Sequence, residues 1–236
     1  MAGGEGTRMA SSYPSLPKPL VPLAGIPLIE IAIRGLRKAG FRDIRFSLRH
    51  RAGQIIEYLE RCSFPGCDGF TFLVEDEPLG TIGALAELQE EDRTVLVTNG
   101  DLLSGIDLKN MIQYHRRSGA DLTIATHDEF HRLKLGEVVT GTGHRIVEYR
   151  EKPVKRYRIS SGTYLVEPVV PVLLEKGEWL SFPDLVTRAL DARLEVVEFF
   201  HCEPWLDIND EEDLSRARDM LRKDPVAFGI DPDWLE

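Results

Sequence analysis

The chain has 236 residues, with 29 Lys and Arg against 39 Asp and Glu, and its formal net charge at pH 7 is −10. A nucleic acid or an anionic membrane would repel such a chain unless its basic residues clustered on one face, so we expect neither as a partner. Three cysteines without CxxC spacing indicate neither a disulfide framework nor a zinc site, and no apolar run approaches the length of a membrane helix. We therefore expect a cytoplasmic protein.

The first half of the chain alternates helix-like and strand-like segments. Ile29, Ala32, Ile33 and Leu36 have the spacing of one helix face, and this helix is expected to end at Gly40. The other segments predicted in this half are strands at 44–48, 70–74, 94–97 and 122–125, and helices at 52–61, 81–89 and 107–118.

The second half changes character, because three strand-like segments follow one another and indicate an antiparallel unit. Asn209 and Glu212 predict a capping box at the start of a last helix, so we interpret the acidic residues 210–213 as helix architecture and not as a metal cluster. The segments predicted are strands at 135–140, 145–151, 159–166 and 194–199, and helices at 169–175, 182–192 and 210–223.

These elements predict an α/β fold. The core is expected to be a mostly parallel, Rossmann-like sheet with helices on both faces, and ligands bind such sheets at the carboxyl ends of the strands. We predict a single domain, residues 1–236, with a core of about 1–126 plus 194–223 and a small antiparallel annexe of about 127–193.

Two motifs near the start carry the strongest chemical signal. GGEGTRM at 3–9 is a glycine-rich loop whose backbone can approach phosphate closely, and Arg8 can grip phosphate oxygens. In PKPL at 17–20, two prolines stiffen the backbone around Lys18, which can place a point charge on a phosphoryl group.

Together these motifs resemble the signature of the sugar-1-phosphate nucleotidyltransferases, which read approximately AGGxGTRL and then PKPLxPVxGxP. The resemblance covers nearly the whole chain and implies a GT-A-like nucleotidyltransferase fold, in which the annexe binds the sugar. It assigns catalysis to Arg8 and Lys18, and nucleotide binding to Ala2, Gly3, Gly4, Gly6 and Thr7.

The segment EDEPLGTIGAL at 75–85 is similar to the family's ExxPLGTAGAL, whose loop contacts the nucleobase. Pro78 and Gly80 favour a tight turn, and Thr81 can cap the helix that follows. The resemblance adds Glu75, Pro78, Gly80 and Thr81 to the nucleotide site. In isolation the same residues would be read as a strand-to-helix connector.

Two acidic motifs point to a metal ion. TNGD ends a buried strand, so Asp101 is expected at the carboxyl edge of the sheet, where a carboxylate suits Mg²⁺. The resemblance takes a second metal carboxylate, Asp207, from WLDI at 205–208, and it places Gly100 beside the nucleotide. Spacing alone does not pair these aspartates, so the fold must bring them together.

Two motifs are expected to meet the sugar phosphate. REKPV at 150–154 matches the family's EKP segment, which implies that Glu151 binds sugar hydroxyls and Lys152 the sugar phosphate. SSGTYLVEP at 160–168 is similar to NAGIYxxxP, with Gly162 close to the sugar ring. Ser160 replaces the usual Asn, which shortens one contact.

The resemblance implies an enzyme that condenses a nucleoside triphosphate with a sugar 1-phosphate, releasing pyrophosphate. The ExxPLGT form favours GTP with a mannose- or heptose-like sugar. A uridylyl- or cytidylyltransferase acting on an amino-sugar phosphate or another phosphorylated small molecule stays open, as does a non-catalytic nucleotide-sensing subunit on the same fold. The sequence also leaves open a homo-oligomer and a regulatory domain fused upstream.

Two further expectations concern the first strand and the histidines. In the family an apolar strand runs into the glycine-rich loop, so we expect the natural polypeptide to begin several residues before Met1 or to carry a module upstream. His127 and His131 have the i, i+4 spacing of zinc proteases, but they are expected in a loop after a strand, which argues against that site.

Overall fold

The computed structural model describes residues 13, 15–62, 64 and 69–234, the last without its side chain. The candidates Ala2, Gly3, Gly4, Gly6, Thr7 and Arg8 lie outside the described residues. The described α-helices are α1 (Leu28–Ala39), α2 (Ala52–Arg61), α3 (Leu108–Ser118), α4 (Phe182–Asp191) and α5 (Glu211–Lys223).

The strands follow the alternation that the sequence predicts, with additional short strands around the helices. Two of them, between Pro22 and Pro27, form a small hairpin that leads into α1. The described strands are β1 (Pro22–Leu23), β2 (Ile26–Pro27), β3 (Ile44–Leu48), β4 (Phe70–Val74), β5 (Val95–Thr98), β6 (Leu102–Ser104), β7 (Leu122–Arg132), β8 (Glu137–Thr140), β9 (Ile146–Arg150), β10 (Val154–Val166), β11 (Val196–Phe200) and β12 (Trp205–Asp207).

The strands form a mixed arrangement. The largest sheet has the order β11-β7-β10-β5, in which β11 is parallel to β7 while β10 is antiparallel to both of its neighbours. β3 and β4 form a parallel pair, and β12 is antiparallel to β6. The predicted α/β class is confirmed, and β8 with β9 forms the predicted antiparallel hairpin of the annexe.

Two long strands extend further than the sequence suggests. β7 continues to Arg132 because it pairs with β10 along its length, from Leu122 opposite Val166 to Arg132 opposite Val154. The expectation that His127 and His131 lie in a loop is therefore wrong, since both lie in β7. The register shifts between Ser160 and Tyr164, so β10 bulges within its pairing with β7.

Three expected helical features differ in detail. The segment predicted as a helix at 81–89 is a 3₁₀ helix, Gly83–Leu88, and the one at 169–175 is the single 3₁₀ turn Pro171–Leu173. The last helix is capped by Asp210, whose Oδ1 accepts from the Asp213 N–H at 2.9 Å, so the predicted capping box of Asn209 and Glu212 is off by one residue.

One hydrophobic cluster supports the short strands β6 and β12. Leu103 of β6 and Leu206 of β12 are buried against Leu214 of α5 and Phe228. Burial of each such side chain contributes roughly 1.5–3 kcal/mol, so this cluster fixes the two strands against α5 although each strand is only three residues long. Among the described helices, none has the length and apolarity needed to cross a membrane.

β3 and β5 begin side by side but do not pair with each other in the described part of the chain. Arg45 lies 2.6 Å from Glu91, and Arg93 lies 3.3 Å from Asp43, so ion pairs join the segments where the two strands start. Beyond them a cavity of about 670 Å³ extends between the strands to Asn99 and Gly100, and α1 and the 3₁₀ helix Gly83–Leu88 contribute to its lining.

Candidate functional site

Two acidic residues meet where β6 and β12 pair. The register places Asp207 opposite Leu102, and the Ile208 N–H donates to the Asp101 carbonyl oxygen at 3.2 Å. Asp101 and Asp207 are 106 residues apart in the sequence, and this antiparallel pair brings them together. The two short strands thus build an acid pair, Asp101 with Asp207.

Lys18 lies against the acid pair. It is the first residue of the 3₁₀ helix Lys18–Leu20, held between Pro17 and the buried Pro19. Its Nζ donates to Asp101 Oδ2 at 2.8 Å and to Asn209 Oδ1 at 3.5 Å, and its side chain is only 10% exposed. A positively charged side chain thus lies against the acid pair.

The pKa of Asp207 is raised above its ordinary value. Burial is the main cause and the nearby charge of Asp101 adds to it, while a hydrogen bond with Asn209 and the charge of Lys18 act in the opposite direction. The ionised carboxylate is therefore disfavoured in the ligand-free protein, and a further positive charge would stabilise it.

These residues fit a divalent cation such as Mg²⁺. Mg²⁺ takes one or two protein carboxylates and completes its octahedron with water and substrate phosphates. The acid pair offers two such carboxylates on adjacent strands, one of them destabilised by burial and by its neighbour. In the described residues no cluster of three or more His, Cys, Asp or Glu side chains forms a protein-only metal site.

Gly162 lies next to the acid pair. Its φ of +67° is a left-handed conformation, and a Cβ there would come within 2.9 Å of the Asn99 side chain. Its carbonyl oxygen accepts from the Asn99 N–H at 3.1 Å, which joins the bulge of β10 to the TNGD turn containing Gly100. Ser160, exposed at the start of the bulge, donates to Tyr164 Oη at 3.2 Å and accepts from the Gly162 N–H at 3.3 Å.

The loop after β4 is held by its own acidic residue. Glu75 accepts from the Leu79 N–H at 3.2 Å and from the Ser47 hydroxyl of β3, which closes the turn around the exposed Pro78. Gly80 has φ +75°, and a Cβ there would lie 2.4 Å from the Leu180 carbonyl oxygen, so only glycine fits.

Thr81 does not cap the helix that follows it. Its hydroxyl accepts from the Phe182 N–H at 3.0 Å and so binds the first turn of α4. The sequence could not show this contact, because its two residues are 101 positions apart.

Glu151 and Lys152 are not brought to the acid pair by any described contact. They lie in the turn between β9 and β10, where Lys152 Nζ is 3.6 Å from Glu151 Oε1 and both side chains are more than half exposed. Ser160 lies six positions after Val154 in β10, which is about 20 Å along an extended strand. The structure thus divides the sugar-phosphate candidates into two groups, Ser160 with Gly162 and Glu151 with Lys152.

Two polar residues of the site were not singled out from the sequence. Asn99 contacts Gly162, and Asn209 contacts Lys18. Both flank metal candidates in the motifs TNGD and WLDIND. An amide beside a carboxylate at a strand end is a signal that could have found them.

The raised pKa of Asp207 predicts a pH-dependent effect of its replacement. Because ionisation of Asp207 costs stability as the pH rises through its folded-state pKa, Asp207→Asn is expected to melt higher than the wild type at neutral pH without metal. The gap should shrink as the pH falls through the folded-state pKa and vanish well below about 3.9, the pKa of an unperturbed Asp, where Asp207 is protonated in both states. Melting curves between these values measure it, with the exposed Asp219→Asn as the control; a gap independent of pH would contradict the stated cause.

Comparison with known proteins identifies the family. A family profile described as nucleotidyl transferase matches residues 1–224. A mannose-1-phosphate guanyltransferase of Debaryomyces hansenii is 32% identical over 90% of this chain and 61% of its own length. A UTP–glucose-1-phosphate uridylyltransferase of a Synechocystis species is 30% identical over 92% of this chain and 61% of its own length.

Solved structures agree with this assignment. HddC of Yersinia pseudotuberculosis superposes with a TM-score of 0.71 at 27% identity, covering 93% of this chain and 96% of that one. A putative glucose-1-phosphate thymidylyltransferase of Bacillus anthracis, at 22% identity and a TM-score of 0.74 over 94% and 93% of the two chains, shows the same fold. The chain spans about three-fifths of the length of the curated relatives described above. The family profile and these likenesses confirm the resemblance seen in the motifs: the chain belongs to the nucleotidyl transferase family.

Proposed function

We propose that the protein transfers a nucleotidyl group from a nucleoside triphosphate, GTP being favoured, to a mannose- or heptose-like sugar 1-phosphate, with release of pyrophosphate. The observation that carries this proposal is the acid pair with the Lys18 ammonium against it at the end of β5. A triphosphate with a divalent cation is the ligand whose charges match this arrangement, since the carboxylates take the metal and the ammonium takes a phosphate.

Nucleotidyltransferases of this family generally use a divalent metal, and we propose Mg²⁺ here, held by Asp101 and Asp207. When bound, the metal would supply charge neutralisation at the triphosphate. Lys18 donates to Asp101 in the ligand-free chain, so a cation on that carboxylate would free the ammonium to bind a phosphate oxygen. Arg8, Ala2, Gly3, Gly4, Gly6 and Thr7 are proposed to hold the remaining phosphates.

The reaction needs no covalent enzyme intermediate. An oxygen of the sugar phosphate attacks the α-phosphorus while the bond to pyrophosphate breaks in line, and the pyrophosphate leaves with its charge neutralised. The residues of the chain act by positioning and by charge. Ser160 and Gly162 are proposed to hold the sugar beside the acid pair. Glu151 and Lys152 are proposed to bind its hydroxyls and phosphate, which requires the turn between β9 and β10 to approach the site.

Glu75, Pro78, Gly80, Thr81 and Gly100 are proposed to line the nucleotide side. Guanine is supported by the relatives named as mannose-1-phosphate guanyltransferases and by HddC, whose structure with GMP-PN superposes on this chain with a TM-score of 0.71 at 26% identity over 93% and 96% of the two chains. The Synechocystis relative, a uridylyltransferase, keeps UTP as the second candidate. We also propose a cytoplasmic location, since the cysteines have no disulfide spacing.

The substrate assignment predicts the outcome of a panel assay. GTP, UTP, CTP and dTTP are each combined with mannose, heptose, glucose and amino-sugar 1-phosphates in the presence of Mg²⁺, and pyrophosphate release is measured. We expect the highest kcat/KM with GTP and a mannose- or heptose-like phosphate. A preference for UTP or CTP would reject the guanylyl assignment. Tight triphosphate binding without turnover would favour the alternative of a non-catalytic nucleotide-sensing subunit.

The site assignment predicts the effect of two substitutions. Asp101→Asn and Lys18→Gln are each expected to lower kcat by roughly a hundredfold or more, because the first removes a proposed metal carboxylate and the second removes the positive charge proposed to bind a phosphate. Lys38→Gln is the matched control, since Lys38 Nζ donates to the Val226 carbonyl oxygen on the surface. Unchanged pyrophosphate release by Asp101→Asn with Mg²⁺ would show that the metal assignment is wrong.

A further inference from the structure

A fully buried serine joins three elements behind the acid pair. Ser161 lies within the bulge of β10, and its Oγ is 2.8 Å from His127 Nδ1 on β7 and 2.7 Å from His201 Nε2, just after β11. Its carbonyl oxygen accepts from Trp205 Nε1 at 2.8 Å. The residues Ser161, His127, His201 and Trp205 are called the Ser161 cluster below.

The Ser161 cluster is bonded to both parts of the chain that carry the acid pair. Trp205 is the first residue of β12, and Asp207 is its last. The residue after Ser161 is Gly162, whose carbonyl oxygen accepts from Asn99, two residues before Asp101. A shift of the Ser161 peptide would therefore move the ends of β5 and β12 relative to each other.

The hydrogen bonds of the Ser161 cluster restrict which atoms carry a proton. A serine hydroxyl carries one proton, so with two imidazole nitrogens in contact it donates to one and accepts from the other. His201 Nδ1 is buried without a hydrogen-bond partner in the described residues, and Glu203 Oε2 lies 3.5 Å from it. The His127 ring also packs on Trp205, with centroids 4.3 Å apart. Each ring is thus fixed by contacts that a rotated ring would lose.

Glu203, His201 and Ser161 follow one another in the order acid, histidine, serine, as in the catalytic triad of a serine hydrolase. Ser161 and the His201 side chain are nevertheless fully buried, so no substrate reaches the hydroxyl. The contacts therefore favour a positioning role over a covalent one.

We propose that His127, Ser161 and His201 are positioning residues that hold Trp205, and with it Asp207, at the separation from Asp101 that one divalent cation requires. This inference rests on the proposed function, because it assumes that the acid pair binds the cation with the triphosphate. Groups that hydrogen-bond a metal ligand directly change metal affinity by roughly 10–100-fold when they are lost. The Ser161 cluster acts through Trp205 and the backbone of β12, so we expect an effect at the lower end of that range.

The test uses the different positions of the two ring nitrogens. Asn places a polar atom where Nδ1 lies and Gln places one where Nε2 lies, so His127→Asn and His201→Gln keep the contact with Ser161. His127→Gln and His201→Asn lose it, as does Ser161→Ala. We expect the losing variants to raise the Mg²⁺ concentration at half-maximal pyrophosphate release roughly tenfold, with kcat at saturating Mg²⁺ largely retained. The two variants that keep the contact should need nearly the same Mg²⁺ concentration as the wild type.

A purely structural role would give a different pattern. All five variants would then lose thermal stability to an extent set by burial. The Mg²⁺ midpoint would not separate the two variants that keep the contact from the three that lose it, which would overturn the proposal. If the wild type releases no pyrophosphate with any substrate pair, the proposed function fails. Calorimetric titration of triphosphate at several Mg²⁺ concentrations then reads the same midpoint, and the same separation of variants is expected.

Discussion

Two carboxylates held next to each other are the constraint around which this fold is organised. Burial disfavours the charged form of Asp207 and repulsion from Asp101 adds to this, so the pKa of Asp207 is raised. The Lys18 ammonium offsets part of this cost. Hydrophobic burial beneath β6 and β12, where Leu103 and Leu206 pack on α5, offsets the remaining free-energy cost. An unfavourable arrangement of neighbouring charges is typical of a site that binds a ligand of opposite charge.

The bulge of β10 serves the same site from the opposite side. β10 pairs with β7 on both sides of the bulge, and its register shifts between Ser160 and Tyr164. Gly162 occupies the shift because a side chain there would meet Asn99. The SSGTY segment and the TNGD turn are thus joined through one short stretch of backbone, which places the residues proposed for the sugar near those proposed for the metal.

The sequence predicted those features that depend on local patterns. The periodicity of Ile29, Ile33 and Leu36 predicted α1, and the motifs singled out Lys18, Asp101 and Asp207, which the fold brings together. The predictions that were wrong concern features that depend on distant parts of the chain. Thr81 bonds to α4, and β7 runs on to Arg132 because β10 pairs with it. Both depend on partners far along the chain, which periodicity and turn signals do not encode. The role of Glu151 and Lys152 stays a prediction from the resemblance.

The pairing of β6 with β12 also has a consequence for how the chain reaches its folded state. Because 106 residues separate the two carboxylates, a loop of that length must close before they meet, and contacts of this kind form slowly. During synthesis from the amino terminus, Asp101 emerges well before its partner. The two carboxylates therefore come together only after β12 has docked, and their pairing becomes a marker of completed folding.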